Sequence, residues 1–379
     1  MKNLILFILL LPLTLKSQQT INSSIIHDNL TRDYILYLPA TYDGSESVPL
    51  IINFHGYGSN AFEQMNYGDF RPIADTAGFL VVQPQGELLN GISHWNVGGW
   101  TIGSTVDDVG FTAALIDSLS ELYNIDEDRV YATGMSNGGF MSFLLACQLG
   151  DKIAAVAPVA ASMTPETYDE CSPDHSMPIL QFHGTTDNVV PYGGAIWTKP
   201  VQDAIDYWVE YNNCYPLPTI IEIPDNDPND GSTVEHIIYP SGNNGVRTEH
   251  FKIYGGGHTW PGSAFGGAGT NYDINASNEI WKFFLKYDIN GSILPTSLVE
   301  KNSSDFMFFP NPVTDKVIIH SPIPNSEVSF YNLYGKLLLQ SVANNKTELN
   351  LDLSYLNSGI YIITVTSNNI TVSKKIIKY

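Results

Sequence analysis

A serine stands among glycines in the stretch Gly134-Met135-Ser136-Asn137-Gly138-Gly139, directly after the apolar run from Arg129 to Thr133. Small residues at a strand end permit a sharp turn. With a strand before it and a helix after it, such a Gly-x-Ser-x-Gly turn lifts the hydroxyl clear of the backbone. A serine hydroxyl is a poor nucleophile at neutral pH unless a base takes its proton. Histidine suits that task, and it needs a carboxylate to fix its tautomer and stabilise its charged form. Both partners follow in the chain. Asp187 lies in Phe182-His-Gly-Thr-Thr-Asp-Asn-Val-Val-Pro-Tyr192, just past an apolar run, and His258 lies in Tyr254-Gly-Gly-Gly-His-Thr-Trp-Pro-Gly262. Each has a plainer reading alone: Ser136 in a tight connection, Asp187 capping a turn, His258 packed in a loop. The order serine, aspartate, histidine, each beyond a strand, favours a catalytic triad.

The electrophilic side is expected from Asn53-Phe-His-Gly-Tyr-Gly-Ser-Asn60. A His-Gly turn after an early strand lets backbone N–H groups face a tetrahedral oxyanion, and the donors expected are those of Tyr57 and Asn137. His55 reads as a structural histidine beneath that loop. Trp95, Trp100, Tyr192 and Trp260 fall in loops beside these clusters and are candidate substrate-binding residues; packing onto the core is the alternative for each. Asp107 and Asp108 resemble a metal pair, but a helix N-terminus explains them better. No metal site, nucleotide motif or cofactor is expected.

These residues need a scaffold of strands and helices. The runs 47–56, 78–86, 129–133, 153–160 and 177–184 are nearly continuous apolar segments, as buried parallel strands are, and 31–42 alternates as an early strand would. Val109, Ala113, Ile116, Leu119 and Tyr123 step by three or four, an amphipathic helix with Thr105 and Asp108 at its start. Helices are also expected from Asn137 to Leu149, over 200–212 and over 276–287, with two strands inside 218–254. Strands alternating with helices give an α/β protein with a mainly parallel sheet. Ligands then bind beyond the carboxyl ends of the strands, where the serine, aspartate, histidine and His-Gly clusters fall.

The texture changes after Tyr287. Residues 289–304 read as a polar linker, and 305–379 as short alternating runs separated by turn residues, a small all-β sandwich. The first unit is expected over 20–288. Residues 1–17 have the charged start, short apolar core and small exit residue of a signal peptide, too short to span a membrane. Of Cys147, Cys171 and Cys214 at least one is unpaired within the chain. A Cys147–Cys171 bridge is preferred, with three free buried thiols as the alternative. The net charge is −21, while the segment from Asp305 onward holds five acids and six lysines, so residues 1–304 carry the excess acid. That field repels phosphate backbones and anionic membranes and disfavours nucleic acid as a partner.

Residues from about 30 to 288 resemble the secreted polyhydroxybutyrate depolymerase and feruloyl esterase family of α/β hydrolases. The stretches that carry the resemblance are FHGYGSNA, VDDVGFTAALIDSLSELYNID, RVYATGMSNGGFMS, HGTTDNVVPY and GGGHTWPG. The resemblance implies Ser136 as nucleophile, Asp187 and His258 as its partners, and carboxylic esters as substrates: polyhydroxyalkanoates, or feruloylated or acetylated plant polysaccharides. Many members have a cysteine or glutamine pair after the His-Gly, where this chain has Tyr57-Gly58. The tail stretches FMFFPNPVTDKVII, VSFYNLYGKLL and LNSGIYIITVT resemble the type A sorting domain of the type IX secretion system of Bacteroidetes. That implies export through the periplasm to the surface or medium, with residues 305–379 engaging the secretion machinery. The expectation is an exported serine esterase. A serine peptidase of the same fold and a non-catalytic, surface-displayed polysaccharide binder are the alternatives.

Overall fold

The computed structural model describes residues 17–293, 307–320, 327–332, 337–342, 348–367 and 370–379. The expected signal peptide, up to residue 16, and residues 294–304 of the expected linker lie outside the described residues. The chain divides into two compact units, before and after the Ile293–Leu294 bond.

In the first unit the elements run β1 (Gln19–His27), β2 (Leu30–Leu38), β3 (Val48–Phe54), α1 (Ala61–Tyr67), α2 (Arg71–Ala77), β4 (Leu80–Pro84) and the short hairpin β5 (Leu88–Leu89) and β6 (Ile92–Ser93). They continue through α3 (Asp108–Leu122), β7 (Ile125–Met135), α4 (Asn137–Gln148), β8 (Ala155–Val159), α5 (Pro165–Asp169), β9 (Ile179–Gly184) and α6 (Val201–Tyr211). The unit closes with β10 (Thr219–Ile223), β11 (Thr233–Tyr239), β12 (Thr248–Tyr254), α7 (Ala276–Phe284), β13 (Tyr287–Asp288) and β14 (Gly291–Ser292). Ten strands form one sheet in the order β1-β2-β4-β3-β7-β8-β9-β12-β11-β10. Its centre, β4 to β12, is parallel, and an antiparallel pair flanks each side.

In β3, β4, β8, β9 and the second half of β7 both faces are buried, which is why they read as nearly continuous apolar runs. Along β3, Leu50, Ile52 and Phe54 join one core with Phe111 of α3, Phe143 of α4 and Trp208 of α6. Ile51 points into a second core with Ala74 of α2 and Ile280 and Phe284 of α7. A disulfide joins Cys147, late in α4, to Cys171 after α5, and Cys214 is free and buried.

Four details differ from the sequence expectations. The segment 218–254 holds three strands, because the polar turn between Ile223 and Thr233 folds β10 back on β11 as an exposed edge. The helix expected over 276–287 ends at Phe284, and Tyr287 starts the β13–β14 hairpin. That hairpin belongs to the first unit, so the compact part extends to Ile293 and the segment from 289 is not linker at its start. Tyr287 is buried, its carbonyl accepts the Tyr131 hydroxyl at 2.6 Å, and the Ile289 N–H donates to Asp128 O at 2.9 Å. Finally, α3 is capped by Asp107, whose Oδ1 accepts the Gly110 N–H at 2.8 Å, and not by Thr105 and Asp108.

The second unit has β15 (Met307–Phe309), β16 (Lys316–His320), β17 (Glu327–Asn332), β18 (Leu337–Val342), β19 (Glu348–Asp352), β20 (Gly359–Ser367) and β21 (Ile370–Lys378). They form an antiparallel sheet β15-β16-β19 and another, β18-β17-β20-β21. Val317 and Ile319 from one and Val328, Phe330, Ile363 and Val365 from the other share a core.

Candidate active site

Ser136 occupies the sharp turn between β7 and α4. Its φ of 54° and ψ of −117° are rare for a residue with a side chain, a conformation costing about 1–3 kcal/mol that packing must hold in place. The holding is visible in the two glycines around it. A Cβ at Gly138 would stand 2.2 Å from Phe54 O, and one at Gly134 would stand 2.6 Å from the same oxygen. Only glycine lets β3, β7 and the start of α4 approach this closely beneath the serine. The Ser136 N–H donates to Val159 O at 2.9 Å, and its carbonyl accepts the Gly139 and Phe140 N–H groups.

Asp187 and His258 form a direct pair. His258 Nδ1–H donates to Asp187 Oδ2 at 2.7 Å, which leaves Nε2 with a free lone pair. The other carboxylate oxygen accepts the backbone N–H groups of Val189 and Val190, both at 2.8 Å. Burial alone would raise the Asp187 pKa. The His258 hydrogen bond and charge and the Val190 N–H outweigh it and hold the carboxyl below the usual carboxylate range. His183 lies 3.5 Å from Asp187 Oδ2, with its ring nitrogens on Ala161 O and Val190 O; burial lowers its pKa. The His258 loop is tied down by Gly257 N–H to Gly269 O and Trp260 N–H to Tyr67 Oη. Ser136, Asp187 and His258 follow β7, β9 and β12, which run parallel, so all three sit at one edge of the sheet. Ser136 Oγ makes no hydrogen bond among the described residues.

A Cβ at Gly56 would meet Ser136 Cβ at 3.5 Å, so the His-Gly turn lies against the serine. Among the described residues, neither the Tyr57 nor the Asn137 backbone N–H has an acceptor. His55 is fully buried, donates from Nδ1 to Gly56 O at 2.7 Å and accepts the Gly86 N–H at Nε2 at 3.0 Å. Burial lowers its pKa to about 4, so it is a neutral strut beneath the loop. The Asn137 side chain clasps Trp95 at both backbone groups, and Trp95 Nε1 donates to His55 O at 2.8 Å.

Two of the four aromatic candidates are therefore corrected. Trp95 is 0% exposed and Trp260 1%; both are plugs out of reach of a substrate. The loop positions around them gave no sign of which way the rings turn. Trp100 and Tyr192 remain partly exposed. Trp100 packs edge-on against Tyr57, Phe140 and Trp197, and Trp197 is a neighbour that sequence reasoning missed. Tyr192 Oη bonds His250 Nε2 at 3.1 Å. The acid pair is also divided. Asp107 caps α3, while buried Asp108 accepts Arg32 Nη2 at 2.6 Å and the Asn96 N–H at 2.7 Å. Arg32 is fully buried over the Phe111 ring and was not singled out, because 76 residues separate it from its partner. His27, Asp28 and Asp107 come within metal-ligand distance on the surface, but the Asp107 cap and its 3.2 Å contact to His27 account for them.

Residues 32–195 match the family described as Esterase PHB depolymerase, and residues 307–379 match the Secretion system C-terminal sorting domain. A bifunctional acetylxylan esterase/xylanase of Neocallimastix patriciarum is 28% identical over 277 residues, 73% of this chain and 36% of that protein. Feruloyl esterase B of Piromyces equi is 33% identical over 238 residues, 60% of this chain and 42% of that protein. The chain thus spans less than half the length of either relative. An acetyl xylan esterase from Aspergillus awamori shares the fold, with a TM-score of 0.50 at 14% identity over 71% of this chain and 98% of that one. The first unit has the α/β-hydrolase fold. No helix among the described residues is long and apolar enough to cross a membrane.

Proposed function

From a chain that carries an Esterase PHB depolymerase domain and a Secretion system C-terminal sorting domain, we propose an exported serine esterase that cleaves feruloyl or acetyl esters of polysaccharide. The observation that carries the reading is the 2.7 Å Asp187–His258 pair at the same sheet edge as the Ser136 turn. Ser136 Oγ attacks the ester carbonyl carbon while His258 Nε2 takes its proton. The Tyr57 and Asn137 N–H groups receive the developing oxyanion; both are unpartnered within the described chain, as donors reserved for a transition state should be. Collapse breaks the C–O bond, and the proton on His258 goes to the departing alcohol oxygen. Water, deprotonated by the same imidazole, then hydrolyses the acyl-enzyme and frees Ser136. The tail directs export through the type IX machinery.

The test compares wild type and Ser136→Ala on methyl ferulate, acetylated xylo-oligosaccharide, hydroxybutyrate oligomers and peptides. The serine variant should lose about 10⁴-fold or more in kcat on whichever ester is turned over. Equal turnover by the variant, or peptide cleavage matching ester cleavage, would overturn the reading.

A further inference from the structure

Two aromatic features are built on the two helices next to the Ser136 turn, α4 that begins directly after it and α1 that follows the His-Gly turn lying against it. On one, Trp100 and Trp197 stand over Phe140, one turn into α4. On the other, a cavity of about 500 Å³ is lined by Ser59, Phe62, Glu63, Asn66, Tyr67 and Phe265. Its walls come from two segments only: α1 with the residue before its cap, just past the His-Gly turn, and the loop that carries His258. Phe62 and Phe265 are 62% and 68% exposed, unusual for two phenylalanines at one cavity. The walls are fixed to each other. Tyr67 Oη accepts the Trp260 N–H at 3.0 Å and its carbonyl accepts the Ser263 hydroxyl at 2.7 Å, while Ser263 Oγ accepts the Phe265 N–H at 3.3 Å. A comparable cavity of about 440 Å³, lined in part by Tyr42, Arg129 and Trp281, lies at the opposite strand ends, away from the triad.

We propose that the Phe62–Phe265 cavity binds the alcohol half of the ester, and that its occupant is a neutral pyranose ring. This rests on the esterase reading. The departing oxygen must receive its proton from His258, so the alcohol leaves over the loop that bears His258, and that loop continues to Phe265. The acyl half then falls to the Trp100–Trp197 side. Aromatic faces take the C–H face of a sugar ring, while Ser59, Glu63 and Asn66 offer a polar rim to its hydroxyls. The excess acid of the first unit disfavours a charged uronate there.

The experiment pairs the methyl ester and the xylotrioside ester of one acid, on wild type and on Phe62→Ala/Phe265→Ala. The double variant should lose about tenfold or more in kcat/KM on the xylotrioside ester, mostly through KM, and less than about twofold on the methyl ester. Equal losses on both esters, or none, would overturn the subsite. So would a tenfold loss on hydroxybutyrate oligomers with none on the xylotrioside, which would assign an aliphatic chain instead. If wild type cleaves the methyl ester with no advantage for the xylotrioside, the subsite falls and the esterase stands. If it cleaves neither, the esterase reading falls. Calorimetric titration of xylotriose into Ser136→Ala, with and without the two phenylalanines, then decides the subsite: binding that needs both rings supports it, and binding indifferent to them removes it.

Discussion

The carboxyl group of Asp187 does two things at once, and its amide analogue cannot. One oxygen accepts two backbone N–H groups and the other accepts His258 Nδ1–H. In Asp187→Asn the amide oxygen keeps the two N–H groups and the NH₂ turns to His258. Nδ1 must then become an acceptor, the proton moves to Nε2, and no lone pair faces Ser136. The expected result is a loss of about 10⁴-fold in kcat with the fold intact; a variant within tenfold of wild type would contradict the orientation described. Two other histidines set an acid limit on stability. Burial lowers His55 to about 4 and His250 to about 3. The unfolded chain protonates these rings below about 6.5, while the folded chain stays neutral until far lower. Stability is therefore full above about 6.5 and falls as pH drops toward 4, with His55 alone contributing on the order of 3 kcal/mol. The lowered Asp187 contributes stability above the unfolded carboxyl value, lost only at more acid pH. Urea midpoints from pH 7 to 4.5 check this; a flat series would refute the buried neutral state of both rings.

At the scale of elements, the helix that begins at the nucleophile is held at its far end by Cys147–Cys171, a closure of 24 residues. A loop of that length restricts the unfolded chain by about 3.5 kcal/mol in the chain-entropy account. Replacing both cysteines with serine should lower the unfolding free energy by about that amount, while turnover of small esters at 25 °C stays within twofold, since the Ser136 turn is fixed by β3 and β8 contacts. Urea unfolding and an ester assay on one sample separate the two effects. Much of this framework was legible beforehand because β3, β4, β8, β9 and the second half of β7 are buried on both faces and read as nearly continuous apolar runs. The ends of β7 and β9 carry the serine and the aspartate, and the histidine follows β12. What escaped has a physical reason in each case. β1 and β10 are exposed edges held by backbone pairing, which asks little of side chains. Helices α1 and α2 have seven residues each, too few to display a period. A loop tryptophan has the same letters whether it faces solvent or, like Trp95, is threaded between His55 and Asn137.

For the whole molecule, the division into two units predicts where the chain can be cut. Each unit has its own core, the first built on both faces of the large sheet and the second on Val317, Val328, Phe330 and Ile363, as independently folding domains require. None of Ser136, Asp187 and His258 lies beyond Ile293. Truncation after Ile293 should leave kcat on soluble esters unchanged. Truncation after Lys286 should not be silent. It removes Tyr287, which is buried among Phe283 and its neighbours and supplies the acceptor for buried Tyr131 Oη, and it removes Ile289, whose N–H bonds Asp128 O. Loss of a buried aromatic and the orphaning of a buried hydroxyl together cost several kcal/mol, on the order of 3–5 for the ring alone. The thermal midpoint of the shorter form should drop by many degrees. In a host that has type IX secretion, the Ile293 truncation should accumulate active in the periplasm while the full chain reaches the surface or medium. Activity measured by compartment, alongside retention on insoluble xylan, separates sorting from binding. Normal export of the truncated enzyme with lost retention on xylan would make the second unit a binding module instead.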